Sequence, residues 1–348
     1  MSRKIKWGVI GCGGIADRKT IPGMMEADNV ELVAVMDSVM SVAENVRDKY
    51  NASYAFDDFN ALLALDEIEA VYIASPVFCH KEQALAAAKA KKHILLEKPM
   101  ALSVADAEEI KKACDDAGVK LGVGFLMRFH GYHQRIKEII AEGSIGDIVS
   151  MRGQFTCWYP DIEGAWRQDK SLSGGGALMD MGIHAIDLLQ YLSGLKVTEV
   201  AAFCETQSFN YKVDDSAAVV MKMDNGSLAY VDSNFNIPDA ASVAKLEIYG
   251  TKGSIVATGT LAQAEVGDVA IYISEDVGYD ANQNRSDNVS QTLEGTPLGN
   301  MYTKEVEQFG DACINDTEVP VTAESAIYDQ KIVEAAYASA AEKKFVKI

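Results

Sequence analysis

Residues 5–16 read Ile5-Lys-Trp-Gly-Val-Ile-Gly11-Cys-Gly13-Gly14-Ile15-Ala16, an apolar segment that runs directly into a cluster of glycines. The glycines fit the pattern G-x-G-x-x-A, which binds a dinucleotide pyrophosphate when it joins a strand to a helix. Gly11 permits the tight turn, and Gly13 lets the pyrophosphate approach the backbone. Gly14 and Ile15 open the helix, whose free N–H groups favour phosphate. The stretch therefore predicts a strand, a phosphate-binding turn and a helix.

An acidic residue follows at the spacing that this turn requires. Asp37 comes directly after the apolar segment Val30–Met36, where its carboxylate can accept hydrogen bonds from both ribose hydroxyls. The same carboxylate would repel a 2′-phosphate, and the adjacent Ser38 brings no cation. The pattern favours NAD over NADP as the cofactor, although Arg47 or Lys49 could still reach a 2′-phosphate.

The pattern of predicted strands and helices changes near residue 124, which predicts two domains. Residues 1–124 alternate short apolar segments with helical ones, as in a Rossmann-type α/β fold with a doubly wound parallel sheet. Residues 125–348 contain successive strand patterns without helices between them, which predicts an α+β domain with an open, mainly antiparallel sheet. The strands of this domain are predicted at 148–157, 197–206, 216–223, 227–236, 243–249 and 253–258. The polar stretch 278–300 is predicted to be a surface loop, and two helices close the chain near 302–315 and 323–341.

Composition excludes several classes of partner. The 348 residues include 32 Lys and Arg against 51 Asp and Glu, a formal net charge of −19. Nucleic-acid binding and docking on anionic membranes both need clustered cations, so neither is expected. The six cysteines show no zinc spacing and no export signal is visible, so we expect a cytoplasmic protein with reduced thiols.

Two further segments carry candidate catalytic groups. Lys98, in Glu97-Lys98-Pro99, follows a predicted parallel strand, at the sheet edge where ligands bind in such folds. The glycine triplet at 174–176 would let the chain approach a ligand closely at the start of a helix. Asp180 and His184 follow it and are four residues apart, so a helix would place them on one face, with Asp187 on the next turn. A carboxylate beside an imidazole makes an acid/base pair near neutral pH. The alternatives are a solvated loop lysine and a core histidine, and a metal site lacks a third ligand at suitable spacing.

Taken together, these segments resemble the Gfo/Idh/MocA family of NAD(P)-dependent oxidoreductases. The resemblance spans essentially the whole chain, since it also includes Ser75-Pro76 with His80, the 124–129 segment, Trp166-Arg167, 250–254 and the helix with Glu305 and Phe309. It implies reversible oxidation of a secondary hydroxyl on a sugar, inositol or sugar derivative. It also implies a homodimer or homotetramer formed through the second sheet.

The resemblance also implies residue roles. Lys98 would hydrogen-bond the reacting oxygen, His184 would be the general acid/base, and Asp180 would position substrate and imidazole. The implied cofactor contacts beyond the glycine turn and Asp37 are Ser75, Pro76, His80, Glu97 and Lys98. The implied substrate contacts are Arg128, Trp166, Arg167 and Asp187. Two other functions stay open at this stage, a glycosidase of the same family that recycles tightly held NAD and a non-catalytic nucleotide or sugar sensor.

Overall fold

The computed structural model describes residues 3–274, 278–279, 281 and 289–348. The chain divides into two compact units. The first contains Met1–Leu126, Ser171–Gly174 and Asn300–Gln330, and the second contains Met127–Lys170, Gly175–Gly299 and Lys331–Ile348. The sequence pattern placed everything after residue 124 in one domain, whereas the first unit includes part of the C-terminal region.

The first unit contains a six-stranded parallel sheet, as the alternating pattern predicts. Its strands are β1 (Ile5–Ile10), β2 (Val30–Met36), β3 (Tyr54–Phe56), β4 (Ala70–Ile73), β5 (His93–Glu97) and β6 (Leu121–Gly124). The spatial order is β3-β2-β1-β4-β5-β6, so the direction of strand addition reverses between β1 and β4. In open α/β sheets the carboxyl ends of the strands at such a reversal form the ligand-binding crevice. Residues that follow β1 and β4 are therefore placed to bind a ligand.

The helices that begin in this part of the chain are α1 (Ile21–Glu26), α2 (Met40–Tyr50), α3 (Phe59–Leu63), α4 (Val77–Lys89) and α5 (Val104–Ala117). Ser103 caps α5 by accepting the Asp106 N–H, and Gly118 ends it in the left-handed conformation, as the sequence predicts. The glycine turn leads into a π-helical turn, Ala16–Thr20, before α1.

A C-terminal helix completes the core of the first unit. The helix α9 (Met301–Asn315) places Phe309 5.5 Å from the ring of Trp7 on β1, and both side chains are fully buried. A Cβ on Gly122 of β6 would lie 2.7 Å from the Phe309 ring, which explains a glycine inside that strand. The apolar pattern predicts both helix and strand, but their pairing is a tertiary feature.

The second unit is built on a nine-stranded sheet. Its strands are β7 (Ile148–Thr156), β8 (Val197–Glu205), β9 (Ser216–Met223), β10 (Leu228–Asn234), β11 (Lys245–Gly250), β12 (Gly253–Thr258), β13 (Asp268–Ile273), β14 (Val289–Thr292) and β15 (Val346–Lys347). The order is β14-β13-β12-β11-β7-β10-β9-β8-β15, and all neighbours pair antiparallel except β7 and β10. The prediction of an open, mainly antiparallel sheet is confirmed.

One face of this sheet is packed and the other is open. The remaining helices are α6 (Gly131–Ala141), α7 (Lys170–Ser173), α8 (Ile183–Ser193) and α10 (Ala323–Glu342). The helix α8 lies on β7, where a Cβ on Gly153 would lie 3.0 Å from the Ala185 side chain. On the opposite face Val220 pairs with Tyr230, and both are exposed, as is Phe203. Strands with one packed and one open face alternate buried and exposed residues, which is what β9 shows.

The sequence missed several short strands. The strand β3 has three residues, β13 has six and β15 has two. No turn signal in the sequence marks the start of β13 or β15. The predicted loop 278–300 includes β14, and residues 280 and 282–288 lie outside the described part of the chain. The hairpin signal Asp224-Asn225-Gly226 is confirmed, with Gly226 at φ +87°. No helix among the described residues is long and apolar enough to cross a membrane.

Candidate active site

The glycine turn of the first unit has the geometry of a phosphate-binding loop. Gly11 adopts φ +79°, and a Cβ there would lie 2.5 Å from the backbone nitrogen of Ser75, so only glycine fits. Gly14 adopts φ +52°, and a Cβ on it would meet no atom within 4 Å. The Gly13 N–H donates to Asp37 Oδ2 at 3.3 Å. The turn therefore leaves open space beside Gly14 and holds a carboxylate next to it, an arrangement that fits a dinucleotide.

A buried imidazole, that of His80, contacts the loop after β4. His80 Nε2 lies 2.9 Å from the Ser75 carbonyl oxygen, and Nδ1 lies 3.1 Å from that of Pro99. Burial lowers the pKa of His80 to about 4, although the carbonyl contacts work in the opposite direction. A neutral imidazole donates through one nitrogen only. His80 therefore lies between the loop of Ser75 and Pro76 and the Lys98-Pro99 segment, whose peptide bond is cis, and donates to one of the two carbonyl oxygens.

A second buried network holds Glu97. The Tyr72 hydroxyl donates to Glu97 Oε1 at 2.5 Å and lies 2.9 Å from the Thr20 hydroxyl. The Lys98 N–H donates to Glu97 Oε2 at 3.2 Å. Glu97 is thus engaged by a phenol and by the backbone N–H of Lys98. Lys98 is half-buried and lies in the sequence between Glu97, which accepts these hydrogen bonds, and Pro99, whose carbonyl contacts His80.

A buried carboxyl group lies in the same unit. Glu305, on α9, is buried, and neither of its carboxyl oxygens has a hydrogen-bond partner within the described residues. Burial, and then the charge of Glu97, raise the pKa of Glu305 well above its ordinary value. Burial therefore favours the neutral form of this carboxyl group.

The second unit carries the predicted acid/base residues at the start of one helix. Asp180 lies in a π-helical turn, Leu178–Gly182, which continues into α8, where His184 is buried with its ring centroid 5.9 Å from that of Phe155. Asp180 Oδ2 lies 3.6 Å from Arg167 Nε. The sequence predicted an α-helical turn with Asp180 and His184 on one face. In the structure Asp180 lies in the π-helical turn and His184 in the first turn of α8, which follows it directly.

The substrate residues that the resemblance implies form two ion pairs. Arg167 pairs with Asp180, and its guanidinium lies 4.3 Å from the ring centroid of Trp166. Arg128 pairs with Asp187, with Nε at 3.0 Å from both carboxylate oxygens and a still closer contact through its terminal nitrogen. Because Asp187 is fully buried and held by Arg128, its observed contact is structural.

Sequence reasoning missed the residues that support these groups. They belong to no motif, and the only feature that marks them is burial beside a motif residue, which a sequence does not reveal. In the first unit they are Thr20, Tyr72 and Gln83, and in the second they are Asp214 and Tyr337. Across the described residues, no group of three or more His, Cys, Asp or Glu side chains could hold a metal ion.

Comparison with known proteins agrees with this geometry. Residues 5–125 match the "Oxidoreductase family, NAD-binding Rossmann fold", and residues 133–256 match the "GFO/IDH/MocA C-terminal domain". Glucose-6-phosphate 3-dehydrogenase of Bacillus subtilis is 32% identical over 258 residues, which cover 71% of this chain and 72% of that protein. D-xylose 1-dehydrogenase (NADP(+)) 2 of Haloferax volcanii is 28% identical, with 96% and 97% covered.

A solved structure shares the whole fold. Aldose-aldose oxidoreductase from Caulobacter crescentus, complexed with glycerol, superposes with a TM-score of 0.90 at 23% identity, covering 99% of this chain and 100% of that one. At that identity the likeness establishes the fold.

Proposed function

Because the chain belongs to the Gfo/Idh/MocA family of oxidoreductases, we propose that it transfers a hydride between NAD and a secondary hydroxyl or carbonyl group of a sugar, inositol or sugar derivative. The chain binds NAD(P) through its Rossmann unit. The observation that carries the proposal is the pairing of an open glycine turn with a carboxylate: the space beside Gly14 is free, and Asp37 is hydrogen-bonded to Gly13.

The preference for NAD over NADP rests on Asp37. Its carboxylate lies beside the glycine turn, where the adenosine ribose binds in Rossmann folds, and there it accepts hydrogen bonds from the ribose hydroxyls. A 2′-phosphate at the same place would meet a like charge. Lys49, which could offset that charge, forms an ion pair with Asp17 at 2.8 Å, and this contact draws the ammonium group away from such a role.

The chain's residues take the following parts in the reaction. NAD supplies the hydride acceptor when it is bound. The imidazole of His184 takes the proton of the substrate hydroxyl, and the ammonium group of Lys98 stabilises the developing alkoxide charge. Asp180 orients substrate and imidazole while Arg167 limits its movement. Oriented acid/base help of this kind contributes about 10²–10⁴ in rate.

A substrate panel tests the proposal directly. Purified protein is incubated with NAD+ or NADP+ and D-glucose, D-xylose or myo-inositol, or with NADH or NADPH and the corresponding ketones or lactones, and absorbance at the reduced-nicotinamide band is followed in both directions. We expect turnover with at least one of these compounds and a higher kcat/KM with NAD+. Absence of turnover with every compound and both cofactors would contradict the proposal.

The open face of the second sheet supports a further part of the proposal, a homodimer or homotetramer. Phe203 is 76% exposed there, with Val220 and Tyr230 beside it on the same face. Contiguous exposed apolar side chains on a sheet are typical of a protein interface. Light scattering of the wild-type chain and of Phe203→Glu compares their masses, and a monomeric wild-type mass contradicts this part.

A further inference from the structure

The glycines before α8 are required by the protein's own packing. An ideal Cβ on Gly175 would lie 2.2 Å from the Tyr337 hydroxyl oxygen, and one on Gly176 would lie 1.9 Å from the Asp214 carbonyl oxygen. No side chain fits into either space. The sequence suggested that these glycines let the chain approach a ligand, whereas the structure fills both positions with side-chain and backbone atoms of the second unit.

Asp214 accepts hydrogen bonds from the backbone N–H groups at the start of this helix. Its Oδ1 accepts the Gly176 N–H and its Oδ2 accepts the Leu178 N–H, each at 2.8 Å, while its carbonyl oxygen accepts the Ala177 N–H at 2.8 Å. The first N–H groups of a helix have no partner within the helix and are usually capped by a residue of the preceding turn. Here one aspartate from a distant segment caps three of them in succession.

Tyr337 secures that carboxylate from the other side. Its hydroxyl donates to Asp214 Oδ1 at 2.7 Å and accepts the Gly176 N–H at 3.2 Å. Asp214 and Tyr337 are both largely buried, so water does not compete for these bonds. A charged acceptor at a helix N-terminus also interacts favourably with the helix dipole. The contacts named here all converge on residues 176–178.

We propose that Asp214 and Tyr337 are positioning residues that set where Asp180 and His184 stand. The inference rests on the proposed function. Asp180 follows Leu178 by two residues and His184 follows it by six, so a displacement at the capped turn moves both side chains with the helix. Catalytic groups must be held within a fraction of an ångström of their productive positions. A capped turn with no room for movement supplies that precision.

Two conservative variants and one matched control test the proposal. Tyr337→Phe removes the hydroxyl, and Asp214→Asn places an amide N–H2 where an acceptor is needed. Ser339→Ala is the control, because Ser339 lies on the same helix, is buried, and also loses a hydroxyl that accepts one N–H, from Ala202, and donates to the Lys344 carbonyl. None of its contacts reaches residues 176–178.

Activity is measured with NAD+ and D-glucose, D-xylose and myo-inositol, and NAD affinity by calorimetric titration. We expect kcat to fall about tenfold in Tyr337→Phe and further in Asp214→Asn, with KM and the NAD Kd within twofold of the parent. Ser339→Ala should lower Tm by about as much as Tyr337→Phe does, but it should keep kcat within twofold of the parent. Parental kcat in a folded Tyr337→Phe overturns the proposal even where Asp214→Asn fails to fold.

A second readout is independent of turnover. The imidazole signal of His184 in an NMR spectrum, assigned with His184→Ala, should shift in Tyr337→Phe and stay unchanged in Ser339→Ala. An unchanged signal in Tyr337→Phe contradicts the positioning role. If the parent oxidises none of the three compounds while the signal shifts, the proposed function has failed and the positioning role stands.

Discussion

The protein contains two glycine-rich helix starts that resemble each other in sequence and differ in what fills them. Gly11–Gly14 leads into the π-helical turn Ala16–Thr20, and Gly175-Gly176 leads into the π-helical turn Leu178–Gly182. In each, an aspartate from another segment accepts a glycine N–H, Asp37 from Gly13 and Asp214 from Gly176. Space is open beside Gly14, whereas Tyr337 and Asp214 occupy the space beside Gly175 and Gly176. Glycine clusters therefore indicate close approach, and only the neighbours show whether a ligand or the protein approaches.

The largest effects are expected at the two proposed reactive groups, Lys98 in the first unit and His184 in the second. His184→Ala and Lys98→Ala should each lower kcat by about 10²–10⁴, because each removes a group that handles the proton or the alkoxide charge. The NAD Kd, measured by calorimetric titration, should stay within about threefold. Near-parental turnover in both variants would remove the acid/base assignment and leave the second glycine cluster as a purely structural element.

Alanine substitutions at the glycines separate the two regions directly. Gly176→Ala should lower the free energy of unfolding by about 3 kcal/mol or more, because its Cβ would overlap the Asp214 carbonyl oxygen. Gly14→Ala should cost only about 1–2 kcal/mol for its left-handed backbone, yet weaken NAD binding at least tenfold. Urea unfolding and NAD titration of both variants provide the comparison. Equal effects on stability, with NAD affinity unchanged in Gly14→Ala, would contradict it.

Buried histidines make stability pH-dependent in each region. Burial lowers the pKa of His80 in the first unit to about 4 and of His133 in the second to about 3, from an ordinary value of 6.5. Since the unfolded chain binds these protons more tightly, each contribution is complete above pH 6.5 and is lost as the pH falls towards the folded-state pKa.

The corresponding variants measure that loss. Between pH 6.5 and 5, each histidine should account for about 2 kcal/mol of lost unfolding free energy, at about 1.4 kcal/mol per pH unit. His80→Gln and His133→Gln remove the titration, so each variant should lose less stability over this range than the parent does. Urea unfolding at the two pH values gives the difference, and a parental pH dependence in His80→Gln would show that its imidazole is charged in the folded protein.

The smallest effect concerns the choice of cofactor. Asp37→Ser keeps a short polar side chain but removes the charge, so the ratio of kcat/KM for NAD+ over NADP+ should fall about tenfold, which corresponds to about 1.4 kcal/mol. Glu31→Ser is the control, because Glu31 is an exposed acid on β2, the strand that Asp37 follows. A ratio that responds equally to both substitutions would assign the preference to general charge.

Local patterns were sufficient for most of the longer elements and for the motif residues. The strands around Gly11 and Asp37 and the helix capped by Ser103 follow from apolar runs and turn residues, and the structure confirms them. The antiparallel sheet also follows, from strands without intervening helices. The return of α9 to the first unit does not follow, because the contact between Trp7 and Phe309 joins residues that are some 300 positions apart.

The sequence offers candidates for the reactive groups of the site but none for the residues that support them. Lys98, Asp180 and His184 stand in motifs, whereas Tyr72, Asp214 and Tyr337 are ordinary residues until folding brings them beside those motifs. The roles of Lys98, Asp180 and His184, like cytoplasmic location and oligomeric state, stay predictions.

By itself the sequence determined that this is a Rossmann-type chain with a mainly antiparallel second sheet and the motifs of one oxidoreductase family, because periodicity and turn chemistry act over short distances along the chain. Only the tertiary structure decided that the glycines before α8 are packed against Tyr337 and Asp214, that Asp187 is held by Arg128, and that burial raises the pKa of Glu305. Those facts depend on which distant atoms exclude water from a given group. Desolvation and steric contact are properties of the folded neighbourhood, which no local stretch of sequence contains.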